Sequence, residues 1–311
     1  MKKLILRLFL FTVYILILGE IVIRFFHLTS DIPNRQMQGT IQKYFPNQQG
    51  YWKGGGHQWK VNSKGWVGEL PENYDNLITI VGDSFIENLM NPDYCHQGVY
   101  LKKYFEDYNF FEAGRSGVSL IEAMEITKNL EEEYKPKLQL LYLGESDFKE
   151  SIADISRKPN ITQVDLKEQI LLPSKLKAPI FKKILYNWKF IYYMYMRFPL
   201  KLPKFKTKKN ATLSLVKKEG KIMYLKEYKE LIDYLSRHYR LKDIIFILRP
   251  EINKEIVKLM KNYSIKTILL NNHKEVWTFS HDRHWTCYGH EQVAKQVSNY
   301  LKNSINIVLP N

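Results

Sequence analysis

A serine that could act as a nucleophile follows a short apolar segment of the chain. Residues 77–81 are apolar and rich in β-branched side chains, which is typical of a buried parallel strand. Gly82 and Asp83 break this run, and the residues after Ser84 can begin a helix. Ser84 is therefore predicted to lie on a tight strand-to-helix turn at the carboxyl end of a strand, where open α/β sheets bind ligands. The same tripeptide also fits a plain turn followed by a serine N-cap, so partner residues are needed.

Partner residues for such a serine are found near the other end of the chain. A serine hydroxyl is a poor nucleophile unless a histidine accepts its proton and an acid holds the histidine in the correct tautomer. His284 and Asp282 supply these two groups. His281 and His290 are close by, so metal ligation is an alternative, although no further His, Cys or Asp cluster with ligand spacing accompanies them.

The elements that must position these residues alternate between strand and helix. The predicted helices cover residues 119–134, 223–240, 251–262 and 291–301, and the predicted strands cover residues 77–81, 109–113, 138–143, 243–248 and 265–270. Such alternation predicts a parallel sheet with helices on both faces. Ser84, Gly117 and Ser146 each follow a different strand, so they are expected to converge at one edge of that sheet.

Four sequence blocks together resemble, in order and spacing, the conserved blocks of the GDSL/SGNH hydrolases, over roughly residues 77–301. The blocks are Gly82-Asp83-Ser84, Glu112-Ala113-Gly114-Arg115-Ser116-Gly117, Gly144-Glu145-Ser146-Asp147 and Asp282-Arg283-His284-Trp285. The resemblance implies a three-layer α/β/α sandwich of the SGNH, flavodoxin-like type.

Carried over residue by residue, the family pattern implies a role for each candidate side chain. Ser84 would be the nucleophile, His284 the base and Asp282 the acid that orients it. The backbone N–H groups of Ser84 and Gly117 would form part of the oxyanion hole.

The third oxyanion donor of the family is usually an asparagine, and this chain has Ser146 at that position. Loss of one such donor can cost about 10²–10³ in rate, although a hydroxyl can substitute if it reaches the same point. The acid and base are two residues apart, and Asp-x-His-Trp followed by Gly-His looks like the subgroup of cell-envelope and polysaccharide-modifying proteins.

A long apolar run at residues 4–27 predicts a single transmembrane signal anchor. It exceeds the roughly 20 residues that a membrane-spanning helix needs and is longer than the apolar part of a signal peptide. A cleaved signal peptide and a buried soluble helix are the alternatives. Lys2, Lys3 and Arg7 favour a cytoplasmic N-terminus, which places the remaining chain in the periplasm or on the cell surface.

The rest of the chain divides into a linker and one catalytic domain. Residues 28–76 are polar, contain aromatic side chains and show no sustained periodicity, so they are interpreted as a juxtamembrane linker. Residues 77–305 are the predicted hydrolase domain, which carries a basic, aromatic-rich insertion at about residues 150–220. A chain of 311 residues that is 45% hydrophobic is long enough to bury a full core.

The net charge of +15 is concentrated in the insertion. Residues 167–218 contain fourteen Lys or Arg and one acid, Glu168, among many aromatic side chains. This pattern fits an interfacial helix on the membrane, a lid that meets an anionic glycan, or a solvated charged face. Residues 201–210 are predicted to be a mobile loop. Because the charge is local and no nucleic-acid-binding motif accompanies it, no nucleic-acid partner is predicted.

The two cysteines, Cys95 and Cys287, would both lie in an oxidising compartment. A disulfide between them is geometrically possible, but two buried thiols are the favoured interpretation.

The predicted function is that of an extracytoplasmic serine esterase or O-acyltransferase that acts on acyl esters of a cell-envelope glycan. No metal or organic cofactor is implied. The partners would be the acylated glycan or another ester, and the membrane through the N-terminal helix and the basic insertion. The alternatives are an inactive or weakly active binding or assembly protein, suggested by Ser146, and a lipid esterase at the membrane surface.

Overall fold

The computed structural model describes residues 1–198 and 224–304. It begins with helix α1, Lys2–Phe25, whose apolar side chains are almost all exposed. At 1.5 Å per residue its 24 residues measure about 36 Å, which exceeds the roughly 30 Å of bilayer hydrocarbon. Within the described part of the chain, α1 is the one helix long and apolar enough to cross a membrane, and a signal sequence has the same features.

Residues 28–76 form two short antiparallel hairpins. Their strands are β1 (Arg35–Gln38), β2 (Ile41–Tyr44), β3 (Gln49–Trp52) and β4 (His57–Lys60), with β1 paired to β2 and β3 to β4.

The first hairpin is packed into the domain. Ile41 and Trp66 are fully buried in the main core, and the N–H of Gln42 donates to the buried Glu122 carboxylate at 2.9 Å. The interpretation of residues 28–76 as a linker is therefore corrected. These strands are too short to show periodicity, and the first hairpin is held by groups distant in the chain such as Glu122.

The centre of the domain is a five-stranded parallel sheet in the order β11-β10-β7-β5-β6. Its strands are β5 (Leu77–Gly82), β6 (Asn109–Gly114), β7 (Leu138–Leu143), β10 (Ile244–Leu248) and β11 (Thr267–Leu269). All five predicted strands are found, and β11 differs most because it begins two residues later than expected. Residues in β5, β6, β7 and β10 are almost all buried, as expected for a sheet covered on both faces.

Side chains of β5 alternate between two separate cores. Leu77 and Val81 pack into one core, while Ile78 and Ile80 pack into the other. Helices α4 (Leu120–Tyr134), α8 (Leu225–His238) and α9 (Lys254–Asn262) cover the first face, and α3 (Gln97–Lys102) and α10 (Cys287–Ser304) cover the second. The three-layer α/β/α sandwich with a parallel sheet is confirmed.

Two short helices follow strands of the sheet directly. They are α2 (Ser84–Glu87) after β5 and α5 (Glu145–Glu150) after β7. The predicted helix at 119–134 is α4, with Ser119 as its N-cap: the N–H of Glu122 donates to the Ser119 hydroxyl at 3.2 Å.

The basic insertion contains a small hairpin and a helical pair, which are β8 (Gln163–Asp165), β9 (Ile170–Leu172), α6 (Pro179–Asn187) and α7 (Lys189–Arg197). Helix α7 packs against the C-terminal part of α1, where the Glu20 carboxylate accepts the N–H groups of Lys189 and Phe190 at 3.0 and 2.7 Å. The loop predicted at residues 201–210 lies outside the described residues.

Candidate active site

Ser84 lies at the junction between the central strand and a short helix. Strand β5 ends at Gly82, Asp83 is the N-cap of α2, and the N–H of Phe85 donates to the Asp83 carboxylate at 3.0 Å. A Cβ at position 82 would lie 2.6 Å from Ile86, so only glycine allows α2 to fold back this closely on the strand. This turn holds Ser84 at the carboxyl edge of the sheet, between the ends of β6 and β7.

His284 and Asp282 lie beside Ser84 in the loop that precedes α10. The Oγ atom of Ser84 is 2.7 Å from Nε2 of His284, and Nδ1 of His284 is 2.5 Å from Oδ1 of Asp282. Asp282 also accepts the backbone N–H of His284 at 3.1 Å. The structure thus brings the three predicted side chains into one hydrogen-bonded line, in the order that proton transfer from a serine requires.

The pKa of the Asp282 carboxyl is lowered. Partial burial acts to raise this pKa, but the hydrogen bonds from the ring and backbone of His284 outweigh it. Asp282 is therefore ionised at neutral pH and can stabilise a positively charged His284 ring.

Gly117 follows β6 and adopts a φ of 77°, which an L-residue rarely adopts. Its neighbour Ser116 is held by Glu87, the last residue of α2, which accepts both the N–H of Ser116, at 3.0 Å, and the Ser116 hydroxyl. Within the described residues, neither the N–H of Ser84 nor that of Gly117 donates to another group of the protein. Both N–H groups are therefore available to an acceptor atom of a bound ligand.

Ser146 lies in the first turn of α5, next to a residue that the sequence analysis did not identify. Nη2 of Arg249 is 3.4 Å from the Ser146 hydroxyl oxygen, a long hydrogen bond in which the guanidinium donates. A Cβ at Gly144 would overlap this guanidinium, so glycine is required there for the arginine to approach. Arg249 directly follows β10, as Ser146 closely follows β7. This position, just after a parallel strand, is the sequence signal from which Arg249 could have been identified.

Arg249 also contacts the turn that carries Ser84. Its guanidinium carbon lies 4.2 Å from the centre of the Phe85 ring, and Nη1 is 3.9 Å from the Asp83 carboxylate. The ring of Phe85 packs against the ring of His284, and the two ring centroids are 4.9 Å apart. The arginine is therefore part of the same cluster as the three predicted side chains.

Two acids adjoin this cluster, the partly buried Asp83 and the fully buried Asp147, and both have raised pKa values. Burial raises the pKa of Asp83, and the positive charge of Arg249 only partly opposes it. Burial and then the negative charge of Asp83 raise the pKa of Asp147 well above its usual range. The carboxylate of Asp147 accepts the N–H of Gly144 at 2.7 Å and so closes the turn that presents Ser146.

The other histidines of this region do not join the cluster. His290 is buried, hydrogen-bonds through Nδ1 to the Gln97 amide at 3.0 Å, and packs edge-on against Trp285. Burial lowers the pKa of His290 to about 3, with a further contribution from the charges of His96 and His284. His281 is exposed. Across residues 1–198 and 224–304, no group of three His, Cys, Asp or Glu side chains is placed to hold a metal ion.

Cys95 and Cys287 form a disulfide, so the expectation of two buried thiols is wrong. Cys95 ends the short 3-10 turn Asp93–Cys95, and Cys287 begins α10, three residues after His284. The bond joins segments 192 residues apart, and the sequence contains no local signal for that proximity. It ties the loop that carries His284 to the segment that follows α2.

Comparison with known proteins gives similarity at the level of solved structures. No protein-family model matches this chain, and no curated protein matches its sequence. The chain is similar to the psychrotrophic esterase EstA from Pseudoalteromonas sp., with 11% identity, 75% of this chain and 100% of the esterase covered, and a TM-score of 0.41.

Two further solved structures are similar to a comparable extent. A lipolytic protein of the G-D-S-L family from Veillonella parvula has 11% identity, 74% and 99% coverage and a TM-score of 0.37. The family 3 carbohydrate esterase of Clostridium thermocellum has 11% identity, 75% and 98% coverage and a TM-score of 0.39. At these scores the similarity carries no inference about this chain, and the reaction class is inferred below from its side chains.

Proposed function

We propose that this protein is a membrane-anchored serine esterase or O-acyltransferase that works outside the cytoplasm. The observation that carries the proposal is the continuous line from Ser84 Oγ through the His284 ring to the Asp282 carboxylate, with contacts of 2.7 and 2.5 Å. A histidine that contacts both a serine hydroxyl and an ionised acid is the arrangement that converts serine into a nucleophile.

The reaction then follows from the chemistry of these groups. Ser84 Oγ attacks the ester carbonyl while His284 Nε2 takes the hydroxyl proton, and the carbonyl oxygen becomes an oxyanion. The protonated His284 gives its proton to the leaving alcohol as the ester bond breaks. Water or a sugar hydroxyl then attacks the acyl-serine, again with His284 as base, which releases either the free acid or a new ester.

Three groups are proposed to stabilise the oxyanion, namely the N–H groups of Ser84 and Gly117 and the hydroxyl of Ser146. Arg249 affects the third of these groups, the Ser146 hydroxyl. Because Arg249 donates to the Ser146 oxygen, the hydroxyl proton of Ser146 is left to point elsewhere, and the adjacent positive charge makes it a better donor. On this proposal Ser146 and Arg249 together replace the asparagine of the related hydrolases.

The proposed location rests on α1 and on the disulfide. Two contacts to α1 support a permanent anchor, because cleavage of a signal would remove them: the N–H of Lys189 in α7 donates to Glu20, and Arg24 donates to the carbonyl of Asn187 at the end of α6. A disulfide supports an oxidising compartment. We propose that the hydrolase domain comprises residues 77–305 together with the two N-terminal hairpins, β1–β2 and β3–β4, which precede them in the chain. We take an acyl ester on an envelope glycan as the substrate.

The test is ester hydrolysis by the full-length protein in detergent, with p-nitrophenyl acetate as the substrate. Wild type is expected to turn over, and a fluorophosphonate is expected to label Ser84. Ser84→Ala, His284→Ala and Asp282→Asn should each reduce kcat by about 10⁴ or to the buffer rate, and combining the first two should add little because these residues act as a unit.

The matched control is His281→Ala, which removes an exposed histidine from the same loop and should leave kcat unchanged. Absence of both turnover and labelling in the folded wild type would replace the esterase proposal with that of a non-enzymatic binding protein.

A further inference from the structure

A cavity of about 400 Å³ lies between the first hairpin and the basic insertion. One wall is formed by residues 32–37, which lead into and form β1, and the opposite wall by residues 175–186, which lead into and form α6. None of the residues that line it belongs to the candidate active site. The cavity is therefore separate from the candidate active site and has no part in the proposed ester chemistry.

The cavity is lined by cations without acids. Its five charged lining residues all carry positive charge, and they are Arg35, Lys175, Lys177, Lys182 and Lys183. Within residues 1–198 and 224–304, none of these five side chains forms an ion pair. Like charges gathered this closely repel each other, and an anion between them would remove that cost.

The pKa of Lys182 is consistent with repulsion among these cations. Its pKa is lowered by burial and, in addition, by the positive charges of Arg35 and Lys177. A bound anion would reverse the second effect, since an opposite charge favours the protonated amine.

Exposed apolar side chains lie on α6, the helix that carries Lys182 and Lys183. Ile180 lines the cavity and is 77% exposed, and Phe181 and Ile184 on the same helix are 59% and 55% exposed. Cations next to exposed apolar side chains are the pattern of a surface that meets both the headgroups and the acyl chains of a bilayer.

The cavity lies at the level of the outer end of the membrane helix. Tyr186 lines it, and the carbonyl of the next residue, Asn187, accepts a hydrogen bond of 2.5 Å from Arg24 in the last turn of α1. Lys189 forms an ion pair with Asp31, six residues beyond the end of α1. If α1 spans the bilayer, these contacts place the cavity beside the lipid headgroups.

We infer that this cavity binds the headgroup of an anionic lipid that carries more than one phosphate charge. A volume of about 400 Å³ and five unpaired cations exceed what a single phosphate needs, and the adjacent apolar face accommodates the acyl chains. The inference rests on the membrane-anchor part of the proposed function and is independent of the esterase part.

The experiment measures lipid binding by the full-length Ser84→Ala protein in detergent, so that catalysis plays no part. Native mass spectrometry follows titration with diphosphatidylglycerol, with phosphatidylcholine as the neutral lipid and pyrophosphate as the free anion. We expect selective retention of diphosphatidylglycerol. The triple variant Arg35→Gln, Lys177→Gln and Lys182→Gln should raise its dissociation constant at least tenfold.

The matched control removes three exposed lysines from helices α8 and α9, Lys226→Gln, Lys229→Gln and Lys258→Gln, and so changes the net charge equally. It should alter the dissociation constant less than twofold. If the cavity triple does not fold, Lys177→Gln with Lys183→Gln replaces it, and at least a threefold rise is expected.

If the two triple variants raise the dissociation constant for diphosphatidylglycerol equally, binding depends only on net charge, and the inference is overturned. Equal retention of the neutral lipid, or binding of pyrophosphate as tight as that of the lipid, would overturn it as well. The cavity triple is also made in the protein that retains Ser84, where its ester hydrolysis should match that of wild type. This measurement separates failure of the inference from failure of the proposed function.

Discussion

At the residue scale, Ser146 is the proposed oxyanion donor at the position where the GDSL/SGNH hydrolases that the sequence resembles have asparagine. If its hydroxyl is an oxyanion donor, Ser146→Ala should lower kcat by about 10²–10³ with a smaller effect on KM, because the interaction is made in the transition state. Ser146→Asn should preserve or raise kcat. Both values are measured on p-nitrophenyl acetate with the full-length protein.

Arg249 provides the second arm of this test. Arg249→Lys keeps the charge but loses the planar donor, so the Ser146 hydroxyl is no longer held and kcat should fall. In the double variant with Ser146→Ala the losses should not add, since both changes remove one interaction. Glu251→Gln alters an exposed partner of Arg249 and serves as the control. An unchanged kcat for Ser146→Ala would remove Ser146 from the proposed oxyanion hole.

At the scale of elements, a buried hydrogen-bond chain connects the first hairpin to the loop of Gly117. The hydroxyl of Tyr44 in β2 donates to Glu87 at the end of α2, and Glu87 accepts from Ser116, the residue before Gly117. Tyr44 and Glu87 are almost completely buried. The hairpin therefore supports, through Glu87, both the helix that begins with Ser84 and the turn that presents a candidate oxyanion donor.

Tyr44→Phe removes one donor to Glu87 while preserving the ring. We expect kcat to fall about tenfold, which corresponds to about 1.4 kcal/mol, with little change in KM, because the loss affects positioning of the oxyanion donor rather than substrate binding. Tyr94→Phe, at a residue that is 68% exposed, is the matched control. A loss of thermal stability without any change in kcat would show that the chain is structural only.

At the scale of the whole molecule, the Cys95–Cys287 disulfide closes a loop that contains four of the five strands of the central sheet, namely β6, β7, β10 and β11. A bond that closes so long a loop typically contributes about 2–4 kcal/mol to the free energy of unfolding. The double variant Cys95→Ala and Cys287→Ala should lose about this amount in urea unfolding monitored by tryptophan fluorescence.

The same change should lower ester hydrolysis, because Cys287 is close to His284 in the chain and the bond restrains its loop. A reductant should reproduce both effects in wild type and have none in the double variant. If the double variant unfolds at the same urea concentration as oxidised wild type, the disulfide does not contribute to stability.

Local sequence patterns were sufficient for the main elements of the sheet and for placing Ser84, Gly117 and Ser146 after three of its strands. The strand at 77–82 is a continuous apolar, β-branched run ended by glycine, and such a run has few alternatives to a buried strand. Ser84, Gly117 and Ser146 follow successive strands, so their convergence was implied once the sheet was taken as parallel. His284 and Asp282 required the resemblance to known hydrolases as well, since their loop has no regular pattern.

The tertiary structure alone decided the contacts between groups that are distant in the chain and have no periodic signal. Arg249 contacts Ser146 at a sequence separation of 103 residues, Lys189 contacts Glu20 at a separation of 169 residues, and the two cysteines are 192 residues apart. The hairpins of residues 28–76 belong to the same class, because strands of four residues acquire their stability from the core that they join. Periodicity in a sequence reports which side of an element is buried, whereas the identity of the partner depends on how all the elements pack together.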